Sequence, residues 1–364
     1  MNLDETTRGI LQRFGFDEET FAILRDRLQA GAAGETSNII QGEVLPPHKE
    51  DVRPLPNLGT EERKKLAEIG QEAISAGQVG AVVLAGGMAT RFGGVVKAGV
   101  PAIDDRSFLE LKLRDLQKSS RVPVYLMTSF ATNDVVDDLA APFRADGRIV
   151  ETFPQFVSLR LTPDGDIFRG AGGTPSLYAP GHGDLTFALR KAGILERFRA
   201  AGGRLLFMSN VDNLTATLDP AIVGAHLEHG RAFTAEVAPK MPGDKGGAPA
   251  RVDDVPQIVE GFRFPPAFDQ DRIPVFNTNT LILDAEAIDR DFDLSWFAVR
   301  KKVDDQPVVQ FEHLVGQLSA FLPSSFVRVE REGPDARFQP VKDPAELERR
   351  KPEIRSALEG RGVL

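Results

Sequence analysis

The sequence predicts an α/β protein: a mixed, mostly parallel sheet flanked by helices, with a small helical region before it and a short α/β cap after it. Three observations predict this. Apolar runs such as Val82-Val83-Leu84 and Leu205-Leu206-Phe207-Met208 have the unbroken character of strands buried on both faces. They alternate with amphipathic stretches of helix length, the pattern of a parallel sheet covered on both sides. The runs also stop in loops rich in glycine, asparagine or aspartate, at the strand ends where such sheets bind ligands.

In chain order, residues 1–35 carry helix-spaced apolar positions, Ile10, Leu11 and Phe14 and then Phe21, Ile23, Leu24 and Leu28, with Asp17-Glu18-Glu19 placed to start the second helix. Prolines at 46, 47, 54 and 56 and little periodicity mark 36–59 as a connecting segment. We expect a helical region and linker over 1–59, the main α/β domain over 60–325 and a C-terminal segment over 326–364. A helix over about 60–76 leads into a strand at 79–85. Ser107 caps a helix over 108–116, followed by a strand at 122–127 and a helix over about 132–143. The strand at 205–208 is followed by a helix over 219–229 that opens with Asp219-Pro220. From about 231 to 284 the strands (232–238, 257–260, 275–283) crowd together between Pro/Gly turns, which predicts an antiparallel extension. A helix near 308–321, a strand at 326–329, an extended 337–342 and a helix from about 344 complete the chain.

Composition narrows the partners. At 41% hydrophobic and 27% charged, the 364-residue chain is of soluble, globular type. No apolar run approaches the roughly 20 residues of a membrane span. Met1-Asn2-Leu3-Asp4-Glu5 has no basic or apolar leader, so a cytoplasmic location is expected. The absence of cysteine excludes disulfides, thiol catalysis and thiolate metal sites. A net charge of −9 argues against a nucleic-acid partner. It also means that an anionic ligand must be met by a few placed cations. Charge runs such as Glu61-Glu62-Arg63-Lys64-Lys65 read as solvated helix faces.

The loop Ala85-Gly86-Gly87-Met88-Ala89-Thr90-Arg91-Phe92-Gly93-Gly94, with Lys97 beyond it, offers bare backbone N–H groups and fixed positive charge. That is what a polyanion needs. No Gly-Lys-Ser/Thr closes it as a P-loop, and Gly86-Gly87 do not open a G-x-G-x-x-G. Four further clusters share this character. Pro180-Gly181-His182-Gly183-Asp184 sets an imidazole between glycines, in what could also be a plain turn. Asn210-Val211-Asp212-Asn213 follows a strand, where either a metal-binding carboxylate or an Asx turn would sit. Phe276-Asn277-Thr278-Asn279 places two amides in an apolar strand, where asparagine is depleted and needs partners. Arg337-Phe338-Gln339-Pro340-Val341-Lys342 ends in a lone lysine after a stiff Pro-Val.

Together these segments resemble the UDP-glucose pyrophosphorylase family, which is related to the UDP-N-acetylglucosamine pyrophosphorylases, over roughly residues 67–343. The glycine loop resembles L-x-G-G-x-G-T-R-x-G, and Ser107-Phe108-Leu109-Glu110-Leu111 resembles S-F-L-D-L. Phe153-Pro154-Gln155 with Leu159-Arg160 looks like the family's uracil-side segment. Residues 180–184 and 210–217 look like P-G-H-G-D and N-V-D-N-L-G-A-T. Residues 236–240 and 245–247 resemble E-V-x-P-K and K-G-G. Val259-Glu260 with Pro265, residues 276–279 and residues 338–342 resemble L-E-x-x-x-x-P, F-N-T-N and F-L-P-V-K.

The resemblance implies a Rossmann-like nucleotidyltransferase (type A) fold, UTP and a hexose 1-phosphate as substrates, and Mg²⁺ as cofactor. It implies that Ala85, Gly86 and Gly87 face the nucleotide, that Gln155 and Gly181 hold the uracil edge, and that Lys97, with Arg91, meets the phosphates. His182, Asn210, Glu260, Asn277 and Asn279 would meet the sugar phosphate, Asp212 would bind the metal, and Lys342 would reach the reacting phosphates. The implied reaction is in-line attack of a sugar-phosphate oxygen on the α-phosphorus of UTP. Its nucleophile is already an anion, so positioning and charge neutralisation replace a general base.

The sequence departs from the family at Met88-Ala89, which stands for a glycine-containing pair, and at Gly94-Val95-Val96-Lys97, which lacks G-P-K. Where eukaryotic glucose enzymes continue into a β-helix, 22 residues follow Lys342, so association through that module is not expected. Uridylyl transfer to N-acetylglucosamine 1-phosphate or to several sugars stays open, since residues 69–87 look closer to that branch. So does a nucleotide-sugar-binding protein without turnover. His182 favours glucose, and cations at both Lys97 and Lys342 favour turnover.

Overall fold

The structure is a computed structural model describing residues 3–89, 92–118, 122–241, 244 and 246–364. Its central sheet holds eight strands, numbered here in chain order: β1 (Val52–Pro54), β2 (Val79–Leu84), β3 (Val124–Thr128), β4 (Val150–Pro154), β5 (Leu205–Asn210), β6 (Phe233–Pro239), β7 (Val275–Asp284) and β8 (Ser324–Arg328). They lie in the order β1-β8-β6-β7-β5-β2-β3-β4. In this sheet β7 runs antiparallel to β5 and β6, while the remaining ladders are parallel. The expected mixed, mostly parallel sheet is therefore present.

Nine helices accompany it among the described residues: α1 (Glu5–Arg13), α2 (Glu18–Gln29), α3 (Glu61–Ser75), α4 (Phe108–Leu116), α5 (Asn133–Ala145), α6 (Leu185–Lys191), α7 (Ile194–Ala200), α8 (Pro220–His229) and α9 (Pro344–Gly360). Strand alternation sends Val79, Ala81 and Val83 of β2 into one apolar layer with α3, α4, α5, α8 and α9, and Val82 into the other with α6 and α7. Side-chain caps start several helices, Ser107 on α4 as predicted and Asp219 on α8 among them. Helices α3 and α8 cross at Gly70 and Gly224. A Cβ on Gly70 would lie 1.8 Å from the Pro220 carbonyl oxygen, so only glycine permits that approach. A third apolar cluster joins α1 and α2 to Val157, Leu159, Leu161, Val309 and Phe311. No described helix is long and apolar enough to cross a membrane.

Three expectations are corrected. The segment 36–59 is more than a connection: β1 extends the sheet edge beside β8, and Val44–Leu45 pairs with Ala248–Val252. The strand Val255–Val259 joins that small separate sheet rather than the central one. The helix expected near 308–321 is instead the strand Gln306–Glu312, paired with Phe297–Val303, followed by a short 3₁₀ turn over Val315–Ala320. The hairpin turns at Asp104-Asp105, Asp253-Asp254 and Asp304-Asp305 share one construction: both aspartates have positive φ, 48° to 65°. Asparagine and aspartate tolerate that left-handed region, and a two-residue hairpin turn requires it at both positions.

The functional cleft follows from the strand order. β2 connects onward to β3 on one side, while β5 lies on its other side, a topological switch where ligands bind at the carboxyl ends. Leu84 and Asn210 pair in register there, and their loops diverge over the sheet edge.

Candidate active site

A cavity of about 390 Å³ opens at that switch, lined by Leu84, Gly86, Gly87, Lys97, Met127, Gln155, Ala179, Gly181, His182, Asn210, Val211 and Asp212. Most sequence-predicted positions meet in it. Ala85 is fully buried and still holds the sheet, its N–H donating to the Met127 carbonyl at 2.8 Å. Gly86 is packed so closely that a Cβ would stand 2.4 Å from the Gln155 side-chain nitrogen, whereas Gly87 faces open space. The loop then folds as a small hairpin, Met88–Ala89 against Val95–Val96, turning through Gly93 and Gly94 at φ 85° and 79°. That hairpin sets the register of Lys97. Its N–H donates to the Gly87 carbonyl at 3.3 Å, and its Nζ reaches Asp212 Oδ2 at 2.5 Å. Arg91 lies outside the described residues, as do Thr90 and Lys245.

Asp212 is held by the loop that leaves β5. Asn213, 1% exposed, is the clamp. Its side-chain oxygen accepts from the Gln339 N–H and the Thr215 hydroxyl, and its amide donates to the Arg337 carbonyl, all at 3.0 Å. The Val341 N–H donates to the Asp212 carbonyl at 3.2 Å, which ties the 337–342 segment alongside. From below, Lys112 of α4 donates to the Asn213 and Ala216 carbonyls at 2.6 and 2.7 Å. Burial pulls its amine down to about 7, with the Asp115 charge opposing. Sequence reasoning missed Lys112 and the clamping role of Asn213. The place of Lys112 between Leu111 and Leu113 of α4 was the available signal.

The opposite wall carries Gln155 and the Gly181-His182 turn. Gly181 needs glycine, with φ 112° and the His313 carbonyl oxygen 2.8 Å from where a Cβ would stand. His182 Nδ1 accepts from the Val315 N–H at 3.0 Å, which leaves the ring hydrogen on Nε2. Burial, with His313 adding to it, lowers His182 to about 4. At neutral pH it is an uncharged hydrogen-bonding group.

The remaining predicted residues form a row leading away from the cavity. Asn279 Nδ2 donates to Asn210 Oδ1 at 3.1 Å, and the Asn277 side chain accepts from the Asn279 N–H at 3.1 Å. A bulge makes this possible: opposite Glu236 and Val237 the register on β7 jumps from Thr280 to Asn277, and Asn279 adopts φ 58°. The extra residues turn Asn279 toward β5, a use to which bulges beside binding sites are often put. Glu260 does not line the cavity. Its carboxyl stands 3.0 Å from where a Gly247 Cβ would be, and the Gly247 carbonyl accepts from the Asn277 N–H at 2.7 Å. Burial raises the Glu260 carboxyl above the usual range, the Glu312 charge adding to this and Arg263 opposing it. Lys342 is exposed and also off the cavity lining, one residue past the Val341–Asp212 bond.

The arrangement suits a phosphate chain that brings its own metal. A magnesium site needs only one or two protein carboxylates when substrate phosphates and water complete it. Asp212 supplies one such carboxylate on the cavity wall, and no described cluster of three or more His, Asp or Glu forms a closed cage. A larger cleft of about 1470 Å³ is lined by Arg63, Lys64, Lys118, Arg337 and Arg361, all already paired with carboxylates. None of the sequence-predicted nucleotide or sugar-phosphate residues lines it.

Comparison with known proteins shows the family and the fold. The profile of the family described as UTP–glucose-1-phosphate uridylyltransferase matches residues 19–350. A UTP–glucose-1-phosphate uridylyltransferase of Encephalitozoon cuniculi is 29% identical over 284 residues, covering 72% of this chain and 56% of the relative. One from Dictyostelium discoideum is 28% identical over 310 residues, covering 78% and 61%. The chain thus spans about three fifths of the length of these relatives. Among solved structures, a UDP-N-acetylglucosamine pyrophosphorylase from Trypanosoma brucei superposes with a TM-score of 0.77 at 20% identity, covering 95% of this chain and 79% of that one. A UDP-glucose pyrophosphorylase variant from Leishmania major, in complex with UDP-glucose, superposes at 0.72 and 22% identity, covering 95% and 79%. These last two likenesses establish the shared fold. With the profile spanning nearly the whole chain and the glycine loop, Gln155, Gly181-His182 and Asp212 gathered at one switch point, the chain belongs to the UTP–glucose-1-phosphate uridylyltransferase family.

Proposed function

We propose that the protein transfers uridylyl from UTP to glucose 1-phosphate, forming UDP-glucose and pyrophosphate. The observation that carries this reading is the Lys97–Asp212 pair in the glycine-framed cavity at the end of β2 and β5. Before substrate arrives each charge satisfies the other. With a nucleotide bound, Lys97 turns to phosphate oxygens, and Asp212 is the carboxylate that would hold Mg²⁺. The metal, when bound, supplies charge neutralisation for the phosphates.

The chain's own residues do the rest. Gly86 and Gly87 let backbone approach the nucleotide, and the Gln155 amide beside Gly86 reads the edge of the pyrimidine. His182 stays neutral, donating through Nε2 to a sugar-phosphate oxygen rather than moving a proton. Asn210, held by Asn279, adds a second polar contact on the sugar side. Lys342, next to the Val341–Asp212 bond though off the cavity lining, is the second cation we assign to the departing pyrophosphate. No base is required, because the attacking phosphate oxygen already carries charge. Pyrophosphate release measured over UTP, TTP and GTP with glucose, galactose and N-acetylglucosamine 1-phosphates tests the reading. UTP with glucose 1-phosphate is expected to give the highest kcat/KM.

A further inference from the structure

His313 belongs to none of the motifs of the family resemblance, yet it joins the two segments of the wall that carries Gln155 and Gly181-His182. It is 5% exposed, and Asp184 beside it is fully buried. Its Nε2 bonds Asp184 Oδ1, and Asp184 Oδ2 accepts the Phe156 N–H at 2.8 Å, one residue past Gln155. The His313 backbone grips the 180–184 segment of the same wall: its N–H donates to the Pro180 carbonyl at 3.0 Å, and its carbonyl accepts from the Gly183 N–H at 2.9 Å. Two residues on, the Val315 N–H donates to His182. Stacking sets the ring plane, with Trp296 on one side at 4.2 Å and Phe187 at 6.2 Å.

We propose that His313 is a positioning residue whose bond to buried Asp184 holds Gln155 and Gly181-His182 in register, so that one pair sets both the nucleotide side and the sugar side of the cleft. The proposal rests on the uridylyltransferase reading and touches no reacting atom. A buried Asp184 oxygen left without its partner would pull away to find another, taking the Phe156 N–H and the preceding glutamine with it.

His313→Phe keeps a flat ring in the stack and removes the donor. His313→Gln gives up the ring but restores an N–H for Asp184. For His313→Phe we expect the KM for UTP to rise about tenfold, the scale of one lost buried partner, while kcat stays within about threefold. Amide hydrogen exchange needs no substrate. It should quicken about tenfold at Phe156, Gly183 and Val315 and stay unchanged in β2 and β5. His313→Gln should recover most of the KM. Parent-like KM and exchange in His313→Phe overturn the proposal. So does a His313→Gln variant as impaired as His313→Phe with exchange quickened throughout the sheet, which would make His313 a packing residue only. A parent protein that releases no pyrophosphate with any sugar phosphate would instead defeat the uridylyltransferase reading, and the exchange rates would still decide whether His313 holds the two segments in register.

Discussion

Replacing Lys112 with methionine keeps most of the volume of the side chain while removing its charge and both of its hydrogen bonds. Lys112 is 1% exposed, donates to the Asn213 and Ala216 carbonyls, and is lowered by burial from 10.5 to about 7. Between those two values the unfolded chain holds a proton on this group that the folded chain has released, so stability rises with pH through that window. The slope approaches 1.4 kcal/mol per pH unit, or about 2–3 kcal/mol between about pH 7.5 and about pH 9.5. Lys112→Met abolishes this contribution and leaves two buried carbonyls without donors, at about 1–3 kcal/mol each. Not having to desolvate an ammonium partly offsets that loss, and the offset shrinks as pH rises. The assay is urea unfolding of parent and variant at four pH values across the window. Taking the difference cancels every other titrating group. The deficit of the variant should widen with pH by about 2 kcal/mol or more. Parallel curves would refute the argument and place Lys112 in a wetter, ordinarily protonated environment.

Asp212→Asn keeps the loop shape and removes the cavity carboxylate, so turnover should fall about 10²-fold or more. Its melting temperature should change little, and a sharp fall in melting temperature with normal activity per folded molecule would make Asp212 a structural cap. Lys342→Met should lower kcat far more than it raises the KM for UTP, because the exposed ammonium acts as pyrophosphate leaves; steady-state kinetics unchanged in both constants would remove it from the site. Asn279→Gly keeps the positive φ available but breaks the bond to Asn210. The KM for the sugar phosphate should rise about three- to tenfold with UTP affinity by calorimetry unchanged, and an equal loss for both substrates would refute a sugar-side role.

Much of this was legible because it rests on local rules. An unbroken apolar run ending in Gly86-Gly87 is a buried strand meeting a ligand, and a Cβ at Gly86 would displace the Gln155 amide that stands 2.4 Å from it. Asp212 was visible as a carboxylate just past a strand, and Ser107 as a cap. The misreading at 308–321 has a definite origin. Val308, Phe311, Val315 and Leu318 recur at helical spacing, yet two of them lie in a strand that pairs back on Phe297–Val303. The turn between those strands is Asp304-Asp305, a less familiar signal than Asn-Gly. What stayed hidden is what only tertiary pairing creates. The bulge that aims Asn279 at Asn210 depends on register between β6 and β7. His313 reaches Asp184 across 129 residues, and Lys112 reaches Asn213 across 101. Glu260, which the resemblance placed on the sugar, lies at the far end of the asparagine row rather than in the cavity wall.

The most direct test of the account is a pyrophosphate-release measurement on purified protein with UTP and glucose 1-phosphate, run on the parent and on Lys97→Met. The account predicts Mg²⁺-dependent release by the parent that exceeds release with TTP, GTP or N-acetylglucosamine 1-phosphate. It predicts that Lys97→Met loses about 10²-fold or more of kcat/KM, because Lys97 is the one lysine or arginine among the described residues lining the cavity. Tight UTP binding with no pyrophosphate from any sugar 1-phosphate, or a Lys97→Met variant as active as the parent, would contradict it.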